Sequence, residues 1–442
     1  MTSDVGGLVD DLDYAGPSRP LTQESDHLPT PIGDAPTAGA EGVSSLRQGS
    51  LWVMVVLAVV SLSGLLFWVI AAARFSDGDV GRAAAWYTLV QLAVIGAAFG
   101  GPIVINRSTG SPDAGRSSGA TMVTVVALAG LAGIVAPFMA GSQWRTVGSL
   151  GRPLLSLVMV GLVVGSALVL LVDARLISLR RWRWLLVRAV IPSVVRVLLL
   201  LLDPWADNAG WILLAAAGPI ALSGFVALAA LIVRGEVTPT LPNWFGALER
   251  RFFAVQHLGA VATQLPYHLI PFLVARTVDP ATNAAFYFVW AVGVMVSMIP
   301  LVLNQVLLSE SSLARTGRET LIRTTLAANL GLIGLAWLIS LVVAQPILDR
   351  FGPGYGELAP VLPFLLLASL AWGLGSVCLT ETRLAHDNVG TALITATISV
   401  GSLLLALILM PGRPVWGATV AWLIANLTAV AVGMVVVERR VR

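Results

Sequence analysis

Twelve apolar stretches lie between residues 50 and 437, and the seventh and eighth repeat the first and second. The first hairpin carries Ala73-Arg74-Phe75-Ser76-Asp77, then Ala84-Ala85-Trp86-Tyr87. The second carries Ala275-Arg276-Thr277-Val278-Asp279, then Ala284-Ala285-Phe286-Tyr287. Arg276 follows Arg74 by 202 residues and Tyr287 follows Tyr87 by 200, so a two-residue gap aligns the repeats. A duplication on this scale predicts two six-helix halves. In membrane transporters built from repeats, the solute site lies between the repeats near the bilayer midplane.

Hydrophobic residues make up 57% of the chain and charged residues 12%. A soluble domain holds about 45–50% and about 25%, so the surplus apolar surface requires lipid as solvent. Roughly 20 apolar residues cross about 30 Å of hydrocarbon. The predicted spans are about 50–73, 84–105, 119–140, 153–173, 185–202, 210–233, 254–275, 283–309, 325–347, 359–381, 389–411 and 414–437. The expected fold is an all-α polytopic membrane protein with about twelve transmembrane helices in two pseudo-symmetric six-helix halves. The halves cover residues 49–233 and 254–442, joined by a cytoplasmic linker over 234–253. Residues 1–48 hold eight Asp or Glu against Arg19 and Arg47 and read as a disordered acidic cytoplasmic tail.

All 27 basic residues are arginine. Without lysine the chain has neither a P-loop nor a Schiff-base nucleophile. Cys378 is the only cysteine, which excludes an internal disulfide and a cysteine zinc site. His27, His257, His268 and His386 have no metal-ligand spacing. No cofactor, no enzymatic activity and no nucleic-acid partner is expected.

Arginine placement sets the expected orientation. With the N-terminus inside, nineteen arginines fall on the cytoplasmic side and seven outside, leaving Arg196 within the fifth span. The positive-inside rule then puts both termini in the cytoplasm. Each half has an even number of spans, so the pseudo-twofold axis runs along the membrane normal. The outer loops are short, which argues against a polymerase or ligase acting on lipid-linked sugars outside the membrane.

Several residues stand out as candidates. Arg196 is flanked by apolar residues, where a charge costs roughly 2.5–3.5 kcal/mol on insertion scales. It faces a cavity, or snorkels, or pairs with Asp203. Arg74 and Arg276 occupy equivalent helix ends. They form a symmetric phosphate clamp, or they reach headgroups with Asp77 and Asp279 as partners. Gln264 and His268 share one face of a helix bent by Pro266 and Pro271. That helix lines a cavity in which His268 carries a coupling proton, or its histidine is structural. Arg180, Arg181 and Arg183, beside Trp182 and Trp184, contact anionic lipid heads or simply belong to the positive-inside belt. Asn304 and Gln305 face glycan hydroxyls or another helix. Gly96-x-x-x-Gly100 and Gly161-x-x-x-Gly165 permit close helix packing.

The run from Ala71 to Gly81, followed by Trp86-Tyr87, resembles the first hairpin of polysaccharide exporters. These are the O-antigen and lipid-linked oligosaccharide flippases of the multidrug/oligosaccharidyl-lipid/polysaccharide superfamily. Phe351-Gly352-Pro353-Gly354-Tyr355 is similar to the family's Phe-Gly-Pro-x-Tyr turn, and the basic stretch from Arg175 to Arg188 fits as well. The resemblance covers most of residues 50–437. It implies a MATE-like fold and a flippase that moves a lipid-linked oligosaccharide or polysaccharide precursor across the bacterial cytoplasmic membrane by alternating access. Its implied partners are a polyprenyl-linked glycan, membrane lipids and polysaccharide assembly enzymes. Arginine suits such a ligand, because its planar fork holds two phosphate oxygens at once. The alternative is a small-molecule antiporter of the multidrug and toxin extrusion type. Such antiporters usually carry acidic residues within their spans. Here Asp173, Glu310 and Glu381 fall at inner helix ends and the intramembrane charge is an arginine, which favours an anionic ligand.

Overall fold

The computed structural model describes residues 38–98, 100–107, 113–139, 152–202, 208–240, 247–313, 318–385 and 387–441. The chain divides into two units, Met1–Ser44 and Ser45–Arg442. Of the first unit, residues 38–44 are described and are helical. The second unit is built from helices, with no strand among the described residues.

The first half contains α1 (Ala38–Arg74), α2 (Asp77–Ala98), α3 (Gly101–Arg107), α4 (Ala114–Met139), α5 (Arg152–Ser178), α6 (Trp182–Leu201) and α7 (Ala209–Val233). The second contains α8 (Ala247–Ala275), α9 (Pro280–Leu313), α10 (Arg318–Leu348), α11 (Pro353–Gly356), α12 (Val361–Leu384), α13 (Asn388–Leu409) and α14 (Pro414–Val441). All but the short α3 and α11 are long and apolar enough to cross a membrane, giving twelve spans among the described residues. The chain is a multi-pass membrane protein.

Helix packing repeats from half to half. α5 packs on α4, α7 and α2, and its counterpart α12 packs on α10, α14 and α9. α6 lies on α7 as α13 lies on α14. Within the second half α8 also packs on α13.

Lipid tails are as apolar as leucine, so association relies on close packing by small residues. A Cβ on Gly165 would strike the backbone of Ala221, and one on Gly224 would strike the carbonyl of Gly165. Of the second expected glycine pair, Gly165 therefore serves close packing between α5 and α7, whereas Gly161 meets no neighbour and does not. Large apolar residues such as Leu157, Leu222 and Val342 stay exposed, as lipid-facing side chains must.

The Phe351–Tyr355 turn leads into an apolar helix as expected. Gly352 takes φ +128, a value that suits glycine. Tyr355 is fully buried, its ring 5.8 Å from Phe351 and 6.2 Å from Phe288.

Three boundaries differ from expectation. The second span starts at Asp77 rather than near residue 84. Ser76 Oγ accepts from the Asp79 N–H at 3.2 Å, and Asp79 pairs with Arg82 at 2.6 Å, so these polar residues begin the helix instead of preceding it. Of the expected tail, residues 1–37 lie outside the described residues, but from Ala38 the chain is helical. Good helix formers such as Ala40, Glu41, Leu46 and Arg47 let the apolar helix propagate backwards. The linker is also shorter than expected, because α8 begins at Ala247. Its described start is strapped down. The Thr238 N–H donates to Gly115 at 3.2 Å, and the Thr240 hydroxyl donates to Arg116 at 2.7 Å.

Candidate functional site

Arg196 is 5% exposed, on the buried face of α6 with Ser193 and Leu200. It does not snorkel. Its Nη2 reaches α1, donating to the Val60 carbonyl at 3.1 Å and to Ser63 Oγ. Nε is buried with no hydrogen-bond partner. No carboxylate pairs with Arg196 among the described residues, and Asp203 lies outside them. A buried charge held only by neutral acceptors is costly, and its attraction for an anion is undiminished by a counter-ion.

The repeat-related tyrosines meet beside this arginine. Tyr87 and Tyr287 both lie close to its guanidinium. The Trp68 ring contacts both, at 5.8 Å from Tyr87 and 4.9 Å from Tyr287. α1, α2, α6 and α9 thus converge where the two halves join.

Contacts close that junction at both ends. At the end bearing Arg74 and Arg276, the Asn283 side-chain amide donates to the Gly81 carbonyl at 2.7 Å. At the other end, His257 on α8 clasps the end of α2. Its Nδ1 accepts from the Gly100 N–H at 3.2 Å, and Nε2 lies 2.8 Å from the Gly96 carbonyl. Gly100 serves packing as expected, since a Cβ there would strike the His257 backbone, whereas a Cβ on Gly96 would meet no neighbour.

A cavity of about 160 Å³, with polar groups on a largely apolar lining, opens within the second half, between α8, α9, α12 and α13. Gln264, Asn304, Trp372, Ser376, Thr380 and Arg383 line it. Asn304 Nδ2 donates to Ser376 Oγ at 2.6 Å, while Asn304 Oδ1 is buried without a partner. Amide and hydroxyl groups beside an indole face suit a polyhydroxylated ligand.

The expected site residues separate. Arg196 lies at the junction and Gln264 lines the cavity of the second half. His268 is half-buried, does not line that cavity, and makes no hydrogen bond within the described residues. Arg74 and Arg276 are exposed at the ends of α1 and α8. Their expected acidic partners are otherwise engaged. Asp279 accepts from the N–H groups of Ala281 and Thr282, both at 3.0 Å, capping α9, and Asp77 opens α2. A helix N-terminus attracts a carboxylate more strongly than a solvated arginine does. Arg180 and Arg183 are exposed, while Arg181 pairs with Glu236. Gln305 lies outside the residues whose side chains are described.

No protein-family profile and no curated protein sequence matches the chain. Solved structures do. The lipid II flippase MurJ, in an inward closed conformation, aligns with a TM-score of 0.66 at 14% identity, over 88% of this chain and 87% of that one. A multidrug resistance MATE family transporter of the MOP superfamily, outward-facing, aligns at 0.58 and 16% identity, over 90% and 95%. A MOP superfamily transporter from Pyrococcus furiosus, described by the reverse polarity of its binding pocket, aligns at 0.59 and 15%, over 90% and 95%. The chain shares the fold of these transporters, which is MATE-like as expected.

Proposed function

We propose that the protein is a transporter of the MOP type that flips a lipid-linked oligosaccharide or polysaccharide precursor across the cytoplasmic membrane by alternating access. The observation that carries this reading is Arg196, a buried cation with no counter-ion among the described residues, at the junction of the halves. A phosphate of the polyprenyl carrier takes the guanidinium over from Val60 and Ser63. Releasing that bond loosens the seam between α1 and α6, through which the apolar tail stays in lipid while the head enters. Gln264, which lines the cavity of the second half, faces the glycan. Arg74 and Arg276 receive the phosphate as it emerges outside. In this reading both termini are cytoplasmic, and the His257 clasp and the Asn283 bond close the inner and outer ends in turn. Assembly enzymes of the polysaccharide supply the cargo inside and consume it outside.

The test is complementation of cell-surface polysaccharide export in a deletion strain at matched protein levels. Arg196→Ala should insert as well as the parent, since a buried charge is removed, yet lose export. Arg196→Lys should recover part of it. Full export by Arg196→Ala would sink the reading.

A further inference from the structure

The membrane-facing side of the first half carries a second cavity, a groove of about 340 Å³ between α6 and α7. Val187 and Ile191 of α6 and Leu222 and Val226 of α7 line it, and all four are exposed to the surroundings of the protein. One end of this apolar groove closes on arginines. Two tight turns build that end: Arg180 has φ 55 between α5 and α6, and Gly235 has φ 68 after α7. Arg175 donates from Nε and Nη2 to the Glu236 carbonyl at 3.2 and 2.8 Å, tying the exit of α7 to α5. The Glu236 carboxylate pairs with Arg181, and Asp173 pairs with Arg188. Arg234 has no carboxylate partner among the described residues. Its guanidinium lies over the half-exposed Trp184 ring, 4.8 Å from the centroid. Three arginines thus line the mouth of the groove, Arg181, Arg188 and Arg234, and among the described residues only the first two have a carboxylate partner.

We propose that this groove seats a resident anionic phospholipid of the cytoplasmic leaflet. Its phosphate lies on Arg234 and Arg181, and one acyl chain runs along Val187, Ile191, Leu222 and Val226. The uncompensated positive charge selects an anionic head over a zwitterionic one. A tryptophan carrying a guanidinium suits the depth of the headgroups. The transported lipid is not the occupant. Ile191 and Val195 lie on the exposed face of α6, whereas Ser193, Arg196 and Leu200 lie on its buried face. The helix itself therefore stands between the groove and the junction. The close helical neighbours of α6 are α5 and α7, so a lipid bound here braces the helix that carries Arg196.

The full chain, reconstituted in nanodiscs of phosphatidylcholine with a minority of phosphatidylglycerol, would be released and its retained lipids counted by native mass spectrometry. Phosphatidylglycerol should be enriched about fivefold over its share, the worth of roughly one arginine at a headgroup. Arg234→Gln should remove most of that enrichment. Ile191→Trp fills the groove and should abolish retention of both lipids with every arginine in place. Thermal unfolding of each variant identifies one that has lost its fold, and the other then decides. Equal retention of the two lipids, or an enrichment untouched by both substitutions, overturns the proposal. So does a lipid-linked glycan that co-purifies with the parent and is displaced by Ile191→Trp.

Discussion

Asn283 on α9 gives its side-chain amide to the carbonyl of Gly81 on α2, 2.7 Å away, and both residues are buried. The two helices are repeat partners, so this bond fastens one half to the other beside their symmetry axis. Gly81 permits it by lacking a side chain, because a Cβ there would run into the Pro280 carbonyl and crowd the Ala284 nitrogen.

This seal should be measurable as stability. Gly81→Ala forces two backbones apart and should cost about 1–3 kcal/mol, the usual range for overpacking. Asn283→Ala removes one buried hydrogen bond and should cost about 0.5–1.5 kcal/mol. Thermal unfolding in detergent measures both. Unchanged midpoints in the two variants would mean that α2 and α9 are not in contact here.

The opposite end should respond to His257. With Cys378→Ser removing the only native thiol, a Gln264→Cys probe reports access to the cavity of the second half. His257→Ala should speed its labelling by a membrane-impermeant maleimide added from the cytoplasmic side of inverted vesicles. A labelling rate equal to that of the His257 parent would show that this clasp does not control access.

These two contacts mark how far the sequence could be read. The twelve spans, the repeat and the Phe351–Tyr355 turn were legible, because hydropathy and local turn chemistry are encoded in consecutive residues. The depth of Arg196 was legible for the same reason. Its partners were not. Val60 and Ser63 belong to α1, far from Arg196 in the chain, and no local signal links them to it. A repeat announces that Tyr87 and Tyr287 are equivalent, but not that they converge on Trp68. Asp77 and Asp279 were assigned to arginines by proximity in sequence, although both open helices. Arg234 and Trp184 are 50 residues apart, and no local signal links them.

Asp279 offers a pH test outside the membrane spans. Hydrogen bonds from the Thr282 hydroxyl and then from its backbone N–H hold the carboxyl below its ordinary range. A lowered value stabilises the fold above the unfolded-state pKa of about 3.9 and is lost as pH falls through the folded-state value. Asp279→Ala should therefore cost up to about 1 kcal/mol near neutrality, the usual worth of a cap, and the gap to the parent should close in acid. A gap that persists at pH 2 would assign the loss to something other than the charged cap.

The account rests on outward movement of an anionic lipid without nucleotide. Moving one elementary charge across 100 mV is worth about 2.3 kcal/mol, and a pyrophosphate leaving the cytoplasm moves toward the positive side. The decisive measurement is the rate at which polyprenyl-pyrophosphate-linked glycan becomes accessible on the far side of proteoliposomes, read against an imposed potassium diffusion potential. The account expects translocation without ATP, faster when the receiving side is positive and lost in Arg196→Ala. Translocation that requires ATP and ignores a potential of either sign would contradict it.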